Sequence, residues 1–360
     1  LHRVDRRQRQ MCIRDSDWTV PHYERMLTDN AQLLLVALDA GDESTARGIA
    51  DFLVGTLRRD GGGFGAAQDS ESWIDGQRSE GGYYLRPVTE RAGLEPPAVD
   101  GKVITGWNGL AIGALARAGS RLGEPTWVAE AEDAAAYVLQ VNRDTADALV
   151  RASLDGVASQ AIATAADVAL LADGLFSLAA ATGDPRWAVE ARDLLDAVLS
   201  GIQGDPLLAE HGIAAAPDQT DGDLPSDAAA VAAASLTAWR LGAGDRYRGA
   251  AAARVREHAG SAIGQPFAHG SLLRVAAGLV DAPRQVVVVT EAPQGALASA
   301  ARRADADVVA IVTPEQAGAF ADAGFELFEG KGSAGEQAFD CRSFVCRLPV
   351  SDPAELPLAR

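Results

Sequence analysis

Hydrophobic positions along this chain fall into two alternating kinds of segment. Stretches such as "MLTDNAQLLLVALDA", "ITGWNGLAIGALARA", "ADVALLADGLFSLAAAT" and "DAAAVAAASLTAWRL" are apolar or small nearly all round, as a helix buried on every side requires. Each is followed by a glycine, an acid and a helix with one apolar stripe, beginning at Gly41, Gly123, Gly183 and Gly244. A glycine that tolerates positive φ ends one helix, and the short polar turn starts the next. The pattern therefore predicts αα-hairpins in which buried and exposed helices alternate. The corners are spaced more widely than the roughly 33–47 residues of a straight solenoid repeat, which favours a closed ring of inner helices wrapped by outer ones.

Three long connections, over residues 60–100, 142–163 and 201–224, each run from an outer helix to the next inner one. In such a ring they gather at one end, where a rigid scaffold usually presents its functional loops. The period changes near residue 283. "RQVVVVTEA", "QGALASAARRA", "ADVVAIVTP" and "EQAGAFADAG" read as strand, helix, strand, helix, with "RSFVCRLPV" as a closing strand. The expected organisation is a tail over 1–16, a helical toroid over 17–282, a small α/β unit over 283–350 and a tail over 351–360. Residues 1–16, dense in arginine and unlike the remainder, are set aside from the fold.

Composition narrows the partners. A net charge of −18 repels phosphate backbones and anionic lipid, so neither nucleic acid nor a membrane surface is an expected partner. No apolar run reads as a membrane span. Three cysteines are too few for a disulfide framework, and a cytoplasmic, reducing location is the expectation. Cys341 and Cys346 would lie about 16 Å apart on one extended strand, beyond the roughly 7 Å a disulfide allows. A redox pair would need a turn between them, so buried thiols are expected.

The stretches "DWTVPHYERMLTDNAQLL", "GGGFGAAQDSES", "DGKVITGWNGLAIGALARAG" and "DCRSFVCRLPV", in this order, resemble the C-terminal portion of the YyaL-type, spermatogenesis-associated thioredoxin-domain-containing proteins. The resemblance implies an (α/α)6 toroid similar to six-hairpin glycosidases and N-acylglucosamine 2-epimerases. It also implies a thioredoxin-like domain in the same full-length chain, missing with the first hairpin upstream of Asp17. Two departures bear on any pocket: the family's Pro-Ser-Gly-Asn reads Pro225, Ser226, Asp227, Ala228, and its Asp-Tyr pair reads Asp167, Val168.

The segment from Asp60 to Leu85 concentrates the candidate chemistry. A calcium loop starting at Asp69 fails, because Trp73 and Ile74 stand where a ligand and the turn glycine belong. No dinucleotide fingerprint or catalytic triad is present, and neither a cofactor nor a metal is expected. Two readings stay open: a sugar pocket, in which carboxylates accept from hydroxyls while aromatic rings cover C–H faces, or a solvated acidic loop anchored by its aromatics. Candidate catalytic groups are His22, Asp69, Glu71 and Glu80, with His22 placed at an inner-helix start whose dipole keeps imidazole neutral. Candidate substrate-binding groups are Trp73, Tyr83, Trp107 and Asn108. The functional expectation is a carbohydrate-binding or carbohydrate-active barrel, with epimerase- or glycosidase-like proton transfer if it is an enzyme. The alternative is a non-catalytic scaffold presenting substrates to the thioredoxin-like domain.

Overall fold

The computed structural model describes residues 24–201, 219–333 and 335–358. It is mainly helical, with several small sheets. A short strand β1 (Arg25–Met26) leads into α1 (Leu27–Asp39), and α2 (Glu43–Phe52) continues into a π-helical turn over Leu53–Leu57. The next connection holds β2 (Ala67–Gln68), β3 (Glu71–Ile74), β4 (Gln77–Glu80), α3 (Val88–Arg91), β5 (Val99–Asp100) and β6 (Val103–Ile104). Then come α4 (Thr105–Leu122), α5 (Pro125–Val141), β7 (Ala152–Leu154), β8 (Val157–Ala158), α6 (Ala165–Thr182) and α7 (Pro185–Leu199). Further on, α8 (Asp227–Arg240), α9 (Asp245–Gly264) and α10 (Gly270–Val280) complete the helical part.

The corners at Gly123 and Gly183 form for the predicted reasons, whereas after α8 it is Gly242, at φ 94°, that follows the helix end and Gly244 only precedes α9. Gly123 and Gly183 take the left-handed conformation at φ 70° and 74°, and the following helices open with Pro125 and Pro185. Asp42 caps α2 by accepting from the Thr45 N–H at 3.1 Å. At the start of α6, Thr164 and Asp167 exchange hydrogen bonds in a capping box.

The helices α1, α4, α6, α8 and α10 pack one on the next, while α2, α5, α7 and α9 each back onto the helix that precedes them. The α4–α6 contact is the most extensive, and glycine makes it so. A Cβ on Gly109 would lie 2.5 Å from the Leu170 carbonyl oxygen, and one on Gly174 would lie 2.2 Å from that of Gly109. By length and composition α6 could cross a membrane, contrary to the sequence expectation, but 67% of it is buried between neighbouring helices. It is the central element of the core.

The tail forms a four-stranded sheet in the order β10-β9-β11-β12. Here β9 is Arg284–Val289, β10 Val308–Val312, β11 Gln337–Arg342 and β12 Val345–Cys346, with α11 (Ala296–Arg302) after β9 and α12 (Pro314–Asp322) after β10. Strand β9 pairs parallel with β10 and antiparallel with β11, and is buried along its whole length. Val287, Val289, Ala310 and Val312 join the helical core, whereas Val286 and Val288 pack with Leu297, Ala300 and Ala301 on the opposite face. The two expected regions thus share one core.

One element departs from expectation. "RSFVCRLPV" is not a single closing strand: the chain reverses at Ser343 and Phe344, which take φ 45° and 68°. Positive φ at both central residues is the two-residue turn whose twist matches a hairpin. Cys341 and Cys346 then face each other in register, and their sulfurs are bonded with the α-carbons 3.8 Å apart. The expectation of two buried thiols is corrected by that turn, which the extended-strand reading left out.

Candidate functional site

Two small sheets lie over the N-terminal ends of the buried helices. The order β1-β2-β5 places one at the entry to α1, where the Leu27 N–H donates to the Ala66 carbonyl at 2.9 Å. The order β6-β7-β8 places the other at the entry to α4, where the Thr105 N–H donates to the Arg151 carbonyl at 2.9 Å. Their connections are held by buried amides. Asn142 donates to the Val103 carbonyl at 3.0 Å and to the Thr105 hydroxyl at 2.9 Å.

Asn108 has the same kind of role. Its Oδ1 accepts from the Phe64 N–H at 2.8 Å, and its Nδ2 donates to the carbonyls of Phe64 and Ile104 at 3.1 and 3.0 Å. The side chain is fully buried, so this candidate clamps the glycine-rich turn to α4. Gly62 and Gly63, at φ 107° and 72°, let that turn pass over Tyr137, where a Cβ on Gly62 would come within 2.9 Å of the Tyr137 Cβ.

Beyond the turn, strands β3 and β4 form a hairpin closed by Asp75 and Gly76, at φ 52° and 76°. Glu71 faces Glu80 and Trp73 faces Arg78, so these four share one face, while Ser72 and Ile74 turn inward and are buried. Like charges directly opposite are unfavourable. Arg78 relieves the conflict by pairing with Glu71. Trp73 is 62% exposed. Asp69 accepts from the Glu71 N–H at 3.0 Å and thereby shapes the entry to the hairpin.

The aromatics divide. Tyr83 meets Tyr84 edge-on at 5.3 Å, with the Arg91 guanidinium 5.7 Å from the Tyr83 ring. Tyr84 donates to the Gln68 Oε1 at 3.2 Å and to the Asp69 carbonyl at 3.0 Å. Gln68 also accepts from Arg25 at 3.3 Å, and the Arg25 guanidinium lies 3.5 Å over the Phe52 ring. Trp107 is half-buried, and its Nε1 meets no acceptor among the described residues. The hairpin therefore unites Glu71, Glu80 and Trp73, with Asp69 at its base. Tyr83 belongs to the neighbouring tyrosine cluster, and Trp107 and Asn108 lie on α4. His22 lies outside the described residues.

Sequence reasoning missed Asp29. It stands in the first turn of α1, and burial together with the charge of Asp223 holds its carboxyl above the ordinary 3.8. Gln32, one turn on, donates to the Asp223 carbonyl at 3.1 Å. An acid in the first turn of an inner helix was the available signal, but its pairing with a residue almost 200 positions away was not. The hairpin itself had a local signal, the Asp75-Gly76 turn between strand-forming residues.

The class this defines is a mainly helical protein with alternating buried and exposed helices, loop sheets over one end and an α/β unit attached. Over 96 residues it is 41% identical to human "Spermatogenesis-associated protein 20", a match covering 24% of this chain and 12% of that protein. The mouse and rat proteins of the same name are 40% and 38% identical over the same length. The chain is homologous to them over that part, which spans about an eighth of their length. No family model matches the chain.

Proposed function

We propose that the helices form part of an (α/α)6-type toroid whose loop-covered end binds a sugar-like ligand. The observation that carries this reading is Trp73, a large aromatic face exposed to solvent on a hairpin face it shares with Glu71 and Glu80. An indole covers the apolar face of a pyranose, while neighbouring carboxylates accept from its hydroxyls. Glu71 and Glu80 are directly opposed on this ladder, which sets two carboxylates side by side next to the indole. Asp29, in the first turn of α1 at this end, is a further carboxyl whose value burial and the charge of Asp223 raise. Epimerisation and hydrolysis are the reaction classes these groups would serve.

Titration of mono- and disaccharides by calorimetry tests the reading. Binding that is lost in Trp73→Ala, with the circular dichroism spectrum unchanged, is the expected result. Absence of binding for every saccharide would remove the sugar reading.

A second reading is favoured by a separate observation. The Cys341–Cys346 disulfide links facing strands of a hairpin, with Cys346 only half-buried. A scaffold that cooperates with a thioredoxin-like domain would expose such a bond to thiol exchange. Reduction of the folded chain by a thioredoxin, followed by mass-tagging, should then label two thiols more than in the unreduced chain, which also carries Cys12. A bond that resists thioredoxin until the chain is denatured would count against this role.

A further inference from the structure

At the end of the helices opposite the loop sheets, the last turns of α1, α4, α6 and α8 converge on the α11–β10 part of the sheet unit. They leave a cavity of about 180 Å³. Four arginines line it: Arg117 and Arg121 from α4, Arg274 from α10 and Arg302 from α11. They come from three separate helices, distant in sequence, and meet only through the tertiary fold.

These guanidiniums are not committed to carboxylates. Most other arginines described here form ion pairs, among them Arg47 with Glu124, Arg143 with Glu190 and Arg246 with Asp196. Among the described residues, Arg117 donates only to the Ser177 hydroxyl at 3.1 Å, and Arg121 and Arg274 have no hydrogen-bond or ion-pair partner. Arg302 donates to the Pro293 carbonyl at 2.7 Å, but its buried Nε has no partner. Burial alone pushes the Arg302 guanidinium below its ordinary value, as expected of a cation lacking a counter-charge. Of the two lining acids, Asp307 is spent on Arg240 at 2.9 Å and on the Arg284 N–H at 2.9 Å. Among the described lining residues, Asp39 is then the remaining acid beside four positive charges.

Arginines near helix C-termini often serve to complement the carbonyl ends of the dipole. That explanation requires donation to those carbonyls, and Arg117, Arg121 and Arg274 make none among the described residues. The last turns are closed instead by their own backbone, as where the Gly123 and Gly183 N–H groups return to Gly119 and Ala179. In a chain of net charge −18, four guanidiniums without a carboxylate partner around one cavity, three of them open to solvent and Arg302 partly buried, make a local positive site.

We infer that this cavity binds a small organic anion bearing phosphate or carboxylate groups. Guanidinium forks match both groups in planar, bidentate geometry. Phe176 and neighbouring aliphatic side chains supply an apolar wall for the ligand's body. The volume lies below the roughly 300–1,000 Å³ typical of drug-sized ligands and suits a compact metabolite. This site is separate from the sugar-like site at the other end.

The test is calorimetric titration of the whole chain with inorganic phosphate, glucose 6-phosphate, citrate and, as the neutral control, glucose, near physiological ionic strength so that diffuse attraction is screened. At least one anion should bind saturably at one site per chain. The phosphate and citrate arms distinguish a phosphorylated ligand from a polycarboxylate. Arg117→Gln and Arg274→Gln, both at exposed positions whose loss leaves packing intact, should each weaken binding about tenfold or more. Trp73→Ala should leave anion binding unchanged, which keeps this result independent of the sugar reading. The inference is overturned if none of the three anions binds saturably, or if the arginine variants bind as tightly as the parent chain.

Discussion

Replacing Asp340 by alanine would remove a carboxylate that accepts from the buried Arg284 guanidinium. Arg284 opens β9 and is 1% exposed; its Nε donates to Asp340 Oδ1 at 2.8 Å, and its terminal nitrogens donate to the carbonyls of Asp305 and Pro357 at 3.1 and 2.5 Å. The two carbonyl bonds survive the substitution, so the loss is the charge pairing and one charge-assisted hydrogen bond. Losing that charge-assisted bond costs about 1.5–3 kcal/mol. For a chain of this length that is about 2–4 °C in Tm. Asp340→Asn keeps an acceptor and should cost less, and Arg284→Met with Asp340→Leu should recover at least half of the alanine loss, since it removes the desolvated charge as well. Urea unfolding followed by circular dichroism measures all three. A cost below about 1 kcal/mol for Asp340→Ala, or a double variant no better than the single, would refute the reasoning.

Two further outcomes follow from packing and titration. Gly109→Ala should destabilise by about 3 kcal/mol or more because its Cβ meets the α6 backbone at 2.5 Å, whereas Gly48→Ala, facing open space within α2, should stabilise by about 0.5–1 kcal/mol; thermal melts of the pair compare them directly. Lys331 is buried 5.1 Å from the Phe339 ring, and burial lowers its amine from the usual 10.5 despite the opposing charge of Glu329. Between the lowered folded value and 10.5 the unfolded chain binds more protons, so stability rises with pH across that window. Lys331→Met should therefore be more stable than the parent near neutral pH, with the difference shrinking towards pH 10.5, as paired urea titrations at the two pH values would show.

The sequence by itself determined the helices, their corners and which helices are buried, because those features depend on local rules. A Gly in positive φ, an acid after it and an apolar surface all round are short-range signals, and α1, α6 and α8 begin and end within a residue or two of the apolar stretches, while α4 runs on four residues to Leu122. The strand–helix order of β9, α11, β10 and α12 was legible for the same reason. What failed was also local but conditional: Ser343-Phe344 carries no turn-forming glycine or asparagine, so the hairpin that joins Cys341 to Cys346 could not be told from a straight strand.

Within the candidate site, the acidic and aromatic residues of 69–83 were visible as residue types. Only pairing register decided that Glu71, Glu80 and Trp73 share one face while Ser72 and Ile74 are buried, since a shift of one residue would exchange the faces. Tertiary structure alone brought Asp29 to Asp223 and gathered Arg117, Arg121, Arg274 and Arg302 around one cavity. Electrostatic energy depends on distance through space, and apart from Arg117 and Arg121, one turn apart on α4, these groups are separated by tens to hundreds of residues along the chain.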